Sequence, residues 1–146
     1  MKNFDLEIRY SHHLKEDDTK QFEPMTCEEV LLKFDRLPWR QQQVIQLQID
    51  GVSASFTLTN PTSEQSLRLT LDGYSATDQL QFKIDSDLQI IIPQKDLFGL
   101  ITRKTKDYIA FKQLSLSSAR AYLLNFLEGN IESLETDYKQ SLQKKR

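Results

Sequence analysis

Hydrophobic and polar positions alternate with period two over much of the first hundred residues, and that alternation predicts most of the strands. Phe4, Leu6, Ile8 and Tyr10 fall on one side of an extended chain and Asp5, Glu7 and Arg9 on the other, the mark of a half-buried strand. The stretch VIQLQIDGVSASFTL, residues 44–58, alternates through Asp50-Gly51. If that pair makes a two-residue type I′ turn, Ile49 faces Val52, Leu47 faces Ala54 and Ile45 faces Phe56, while Gln46, Gln48, Ser53 and Ser55 share the opposite face. A slip of one residue would turn every apolar group outward, so the pattern specifies its own register.

Leu67, Leu69 and Leu71 alternate up to Asp72-Gly73, and Leu80, Phe82 and Ile84 are followed after Asp-Ser-Asp by Leu88, Ile90 and Ile92. Pairing across that loop aligns Ile84 with Leu88, Phe82 with Ile90 and Leu80 with Ile92, which predicts a second hairpin with Gln81, Lys83 and Gln89 on its wet face. Ile91 breaks the alternation and predicts a strand covered on both faces near its end. Residues 94–106 fit either a short helix from Asp96 or an irregular crossing. DYIAFKQL, residues 107–114, reads as a final strand.

Helices are marked by period and by caps. The polar residues from Ser11 to Glu23 read as a loop. In MTCEEVLLKF, Thr26 and Glu29 then have the spacing of a capping box, and Met25 and Val30 that of a hydrophobic staple. Val30, Leu31 and Phe34 form an apolar stripe, and Pro38 ends the helix. LSLSSARAYLLNFLEGN predicts a second helix capped by Ser115 or Ser117 and stopped at Gly129. A third begins at Asn130, with Ile131, Leu134, Tyr138 and Leu142 on one face. The expected fold class is α+β: one domain over residues 1–146, with a mostly antiparallel, hairpin-rich sheet packed against an N-terminal helix and two C-terminal helices.

Composition narrows the function classes. With 146 residues, 38% hydrophobic and 27% charged, the chain can bury a core without help from a partner. The single cysteine, Cys27, cannot form an internal disulfide, which suits a reducing compartment. The charged N-terminus lacks the apolar centre of a signal peptide, and no run approaches the roughly 20 apolar residues of a membrane span. A cytoplasmic protein without membrane attachment is the expectation. Charge is polarised: residues 1–35 carry nine acidic and five basic groups, residues 36–100 seven and five, and residues 101–146 five and nine. The pI of about 5.7 argues against a nucleic-acid partner.

Candidate chemistry is sparse. His12 and His13 beside Asp17 and Asp18 lack a spacing that would gather metal ligands on one face. Cys27, at a helix start where a thiol pKa can fall, has no fixed base beside it. The four glycines are isolated, so no phosphate loop exists, and Phe4, Phe56, Phe82 and Phe111 fall on core faces rather than on a stacking platform. No cofactor, metal or catalytic residue is expected, and the chain reads as a binding protein rather than an enzyme. Two places suit a partner: the acidic loop at Glu16, Asp17 and Asp18, and the turn carrying Arg36, Trp39 and Arg40, where Trp39 either anchors a partner or packs beneath the helix.

The early helix MTCEEVLLKF, the hairpin-rich sheet and the strand-to-helix run DYIAFKQLSLSSARAYLLNFLEGN together resemble immunity proteins of bacterial toxin systems, of the contact-dependent or polymorphic kind. The resemblance implies a bacterial protein that binds a cognate toxin, occludes its active site and performs no reaction. A small-ligand-binding or enzymatic domain, or a subunit of a larger assembly, fits the same residues.

Overall fold

The computed structural model describes residues 3–10, 20–49, 53–72, 80–96 and 101–143. The predicted first strand is β1 (Asn3–Arg9), with Phe4, Leu6 and Ile8 buried. The expected loop through Glu23 is instead partly strand: β2 (Lys20–Thr26) pairs antiparallel with β1. A strand at a sheet edge keeps its outer side in water, so β2 shows no apolar alternation and reads as loop. Between Phe4 and Leu6 its register shifts by one residue, Phe4 facing Met25 and Leu6 facing Phe22, a bulge beside Pro24 that blunts the exposed edge.

α1 (Cys27–Arg36) starts as predicted: Glu29 N donates to Thr26 Oγ1 at 3.3 Å and Thr26 N donates to Glu29 Oε1 at 3.2 Å. It ends at Leu37, extended before Pro38. The predicted hairpin over residues 44–58 does not form. Its first half lies in α2 (Trp39–Ile49) and its second in β3 (Ser55–Asn60), which pairs with β1 and β4; Asp50 and Gly51 lie outside the described residues. The reason lies in α2, which buries Trp39, Gln42, Gln43 and Gln46, spaced as one helical stripe, while Val44 is 46% exposed. Gln46 makes the arrangement stable by hydrogen-bonding backbone that the sheet leaves open. Its Nε2 donates to the Leu71 carbonyl at 3.2 Å, and its Oε1 accepts from Ala54 N at 3.1 Å.

β4 (Gln65–Leu71) and β5 (Phe82–Ser86) complete the run of apolar alternation, and β8 (Phe111–Leu114) closes the far edge, so the sheet order is β2-β1-β3-β4-β5-β8, antiparallel throughout. The predicted pairing of residues 80–84 with 88–92 is absent: Phe82 lies opposite Leu71 and Ile84 opposite Leu69 on β4. Alternation fixes which face a strand buries, and any apolar neighbour in register satisfies it. At Ser86–Leu88 the chain instead leaves the sheet, held by Asp87 Oδ1 accepting from Ser66 N at 2.7 Å and by Ser86 Oγ accepting from Leu88 N at 3.2 Å.

It then forms a separate two-stranded ribbon, β6 (Gln89–Asp96) with β7 (Ile101–Tyr108). Residues 94–96 and 101–106 are therefore strand, neither helix nor irregular crossing; residues 97–100 lie outside the described residues. Ile91, expected to be covered on both faces, is 56% exposed, because the ribbon has only one inner side. The predicted strand over residues 107–114 is broken at Ile109-Ala110, where it passes from the ribbon into β8. There Phe111 and Leu114 flank a bulge with Gln113 at φ 55°.

α3 (Leu116–Leu127) is capped by Ser115, whose Oγ accepts from Ser118 N at 3.2 Å, and Gly129 takes a left-handed φ of 79°. α4 (Ile131–Gln143) follows with Leu134 and Tyr138 buried. The mostly antiparallel α+β architecture is as expected. The buried residues form one cluster, joining the apolar sheet face to α1, Trp39 of α2, α3 and α4. Phe34 sits at its centre, 5.5 Å from the Phe56 ring and 5.4 Å from the Trp39 ring.

Candidate partner-binding site

α1 has two working faces. Cys27, Val30, Leu31 and Phe34 point to the core, whereas Glu29, Leu32, Lys33 and Arg36, also spaced i, i+3, i+4, i+7, line a groove of about 310 Å³ with Tyr10, Met25, Leu37 and Pro38. The floor is apolar. Leu32 stands 49% exposed, an isolated large apolar group that the core does not need.

The rim is polar, and its charges are committed to different degrees. Glu29 is engaged by the Thr26 cap, its Oε1 accepting from the Thr26 hydroxyl at 3.0 Å. The Lys33 ammonium lies 4.5 Å from the Phe22 ring centroid. Arg36 makes no hydrogen bond or ion pair with the described residues, leaving its donors available to an incoming carboxylate. Next to it Asp35 faces the other way and takes both guanidinium bonds of Arg120, at 2.8 and 2.9 Å, tying α1 to α3. These bonds hold the Asp35 carboxyl below its usual range.

The residues expected to bind a partner separate on the structure. Arg36 is exposed on the groove and Arg40 is exposed nearby on α2, where its Nη1 donates to Gln43 Oε1 at 3.1 Å. Trp39 is only 5% exposed, packs against Phe34 and Phe82, and donates its indole N–H to the Phe34 carbonyl at 3.2 Å. It is a core residue, which corrects its assignment as a recognition anchor. Glu16, Asp17, Asp18, His12 and His13 lie outside the described residues. Leu32 escaped the sequence reading, although its place off the apolar stripe of Val30, Leu31 and Phe34 was a usable signal.

Metal chemistry finds no assembly point among the described residues. No three His, Cys, Asp or Glu groups there could hold a metal ion. The Cys27 thiol is pushed up, first by burial and then by Glu128 and Glu28, so the helix terminus does not activate it. No helix among the described residues is long and apolar enough to cross a membrane.

The polar sheet face is a second open surface. Glu7, Thr57, Arg68 and Asp85 lie in register across four strands, with Arg68 Nε donating to Thr57 Oγ1 at 3.2 Å. The row holds two carboxylates, Glu7 and Asp85, and one guanidinium, Arg68. Comparison with protein-family models, curated proteins and solved structures finds no match to the chain.

Proposed function

We propose that the chain is a non-enzymatic protein-binding module of the immunity type, which neutralises a bacterial toxin in the cytoplasm by occluding it. The observation that carries this reading is the α1 groove, where an exposed Leu32 sits beside a cationic rim at Arg36 on a helix fixed by its cap and by the Asp35–Arg120 bridge. A rigid helix presenting one apolar anchor and one guanidinium that is unpaired among the described residues loses little freedom on association. The partner contributes an apolar side chain to the floor and a carboxylate to Arg36.

The test is co-purification and a protection assay with the product of the adjoining gene. Parent protein should bind it and protect cells, while Leu32→Asp and Arg36→Glu, both at exposed positions, should fold normally and lose both functions. Unaltered protection by both variants would remove the groove from the interface.

A second reading, a small-ligand domain, draws on the groove volume, which lies at the low end of the roughly 300–1,000 Å³ typical of ligand sites. Thermal stabilisation of the isolated protein by a metabolite, lost in Leu32→Asp, would favour it.

A further inference from the structure

On the polar face of the sheet, the row next to Glu7, Thr57, Arg68 and Asp85 has a different character. Strand register sets Arg9 opposite Ser55, Ser55 opposite Thr70 and Thr70 opposite Lys83. The bulge between β5 and β8 sets Lys112 and Gln113 against Lys83. The strand neighbours Ile8, Phe56, Leu69, Leu71, Phe82, Ile84 and Phe111 are buried, so alternation turns this row outward. It crosses five strands with three cations and two hydroxyls and contains no carboxylate.

Arg9 is the anomaly in the row. Its Nε is buried and has no hydrogen-bond partner, and its guanidinium makes no ion pair with the described residues. A dehydrated donor on a charged group costs free energy when no acceptor faces it, and a bound anion relieves that cost. The charge is delocalised over the planar fork, so an anion at the terminal nitrogens compensates the occluded Nε as well. Ser55, Thr70 and Lys83 likewise make no side-chain hydrogen bond or ion pair with the described residues. Four adjacent side chains thus carry donors that no acceptor among the described residues takes up.

We infer that this row binds a phosphate group, with Arg9 and Lys83 as its cationic arms and the Ser55 and Thr70 hydroxyls as its seat. Arg9 and Lys83 are three strand spacings apart, about 14 Å. The short side chains lie in the middle and the long ones at the ends, so the arms can close on one anion from opposite sides. A carboxylate, planar with two oxygens, is satisfied by a single guanidinium fork, whereas a tetrahedral phosphate has oxygens for all four donors. Glu7 and Asp85 flank the row on one side and Asp72 on the other, each two positions along its strand and so about 7 Å away. These carboxylates repel an extended polyanion and confine binding to a single group over Ser55 and Thr70. The helices pack on the opposite, apolar face of the sheet, so the site rests on no part of the protein-binding reading.

The probe is inorganic phosphate, titrated into the full-length chain by isothermal calorimetry with chloride at matched ionic strength as the reference. One saturable site per chain is expected. Arg9→Gln and Lys83→Gln should each weaken it about tenfold or more, the loss that follows removal of a hydrogen bond to a charged group. Arg9→Lys, which keeps the charge without the fork, should fall between Arg9→Gln and the parent, and Glu7→Gln should bind more tightly than the parent. A merely structural Arg9 would produce neither result. Glycerol 3-phosphate separates the sources: tighter binding than inorganic phosphate assigns the site to an organic phosphate, and equal or weaker binding to the free ion. Circular dichroism melting verifies the folding of each variant, and the exposed Lys83→Gln carries the test if Arg9→Gln unfolds. No saturable binding, binding unchanged in the glutamine variants, or binding of single-stranded DNA with none of phosphate would overturn the inference. Leu32→Asp should bind phosphate as the parent does. Failure of the partner assay therefore leaves this site standing, and absence of phosphate binding leaves the groove reading standing.

Discussion

α1 and α2 are consecutive short helices joined at Leu37-Pro38, yet one is plain in the sequence and the other is disguised as a strand. α1 carries a capping box and buries Val30 and Phe34, so hydropathy and helical period agree. α2 buries Trp39 with three glutamines and exposes Val44, so its hydropathy points the wrong way around the helix. Apolar periodicity reports a helix only when the buried face is apolar. Where a helix abuts unfinished sheet backbone, amides can occupy that face, because Ala54 N and Leu71 O need partners more than they need an apolar neighbour.

The sharpest test of the α1 side is Phe34→Ala, which removes the ring at the centre of the aromatic cluster and should cost about 3–5 kcal/mol. Urea unfolding measures it. A loss below about 1 kcal/mol would mean that α1 is not seated on the sheet as described.

Gln46→Leu tests α2 and sets the two accounts of this segment against each other. In a 44–58 hairpin Gln46 lies on the wet face and leucine would be close to neutral there. In the helix, the change strands one backbone donor and one acceptor, each worth about 1–3 kcal/mol when buried without a partner, so a net loss of about 2–4 kcal/mol is expected. A more hydrophobic protein would be a less stable one. A melting temperature equal to the parent's would restore the hairpin.

These two helices show where sequence legibility stopped. Strand faces were readable, since Leu6, Leu58 and Leu67, or Ile8, Phe56, Leu69 and Ile84, face one another across the sheet. Strand partners were not, because Ile84 can satisfy its apolar face opposite Leu88 as well as opposite Leu69. The ribbon was hidden for the same reason, as was the exposure of Ile91 and Tyr108. Of the candidate site, Arg36 was legible as an exposed basic residue near a turn. Leu32 became visible only when the groove showed that α1 has a second face.

Thr26→Ala addresses the feature most securely read from sequence. It removes the hydroxyl that accepts from Glu29 N and should cost about 1 kcal/mol, measured by chemical denaturation. Thr26→Ser should restore most of it; failure of serine to do so would assign the effect to the lost methyl group rather than to the cap.

The smallest effect separates the helices by the kind of bond that fixes each. α1 is tied to α3 by the exposed Asp35–Arg120 bridge, which contributes under about 1 kcal/mol after solvent screening. The hydrogen bonds from Arg120 depress the Asp35 pKa relative to the unfolded chain. A depressed carboxylate contributes its stability above the unfolded value, near 4, and loses it as pH falls through the lower folded value. Asp35→Asn should therefore be slightly less stable than the parent at pH 7, and the difference should close once the parent's carboxylate is protonated in strong acid. The Gln46 contacts involve no titrating group, so the cost of Gln46→Leu should stay constant over the same range. Urea titrations of both variants against the parent from pH 7 downward make the comparison. A pH-dependent cost at Gln46, or a constant one at Asp35, would show that the two helices are not held by the different chemistries described.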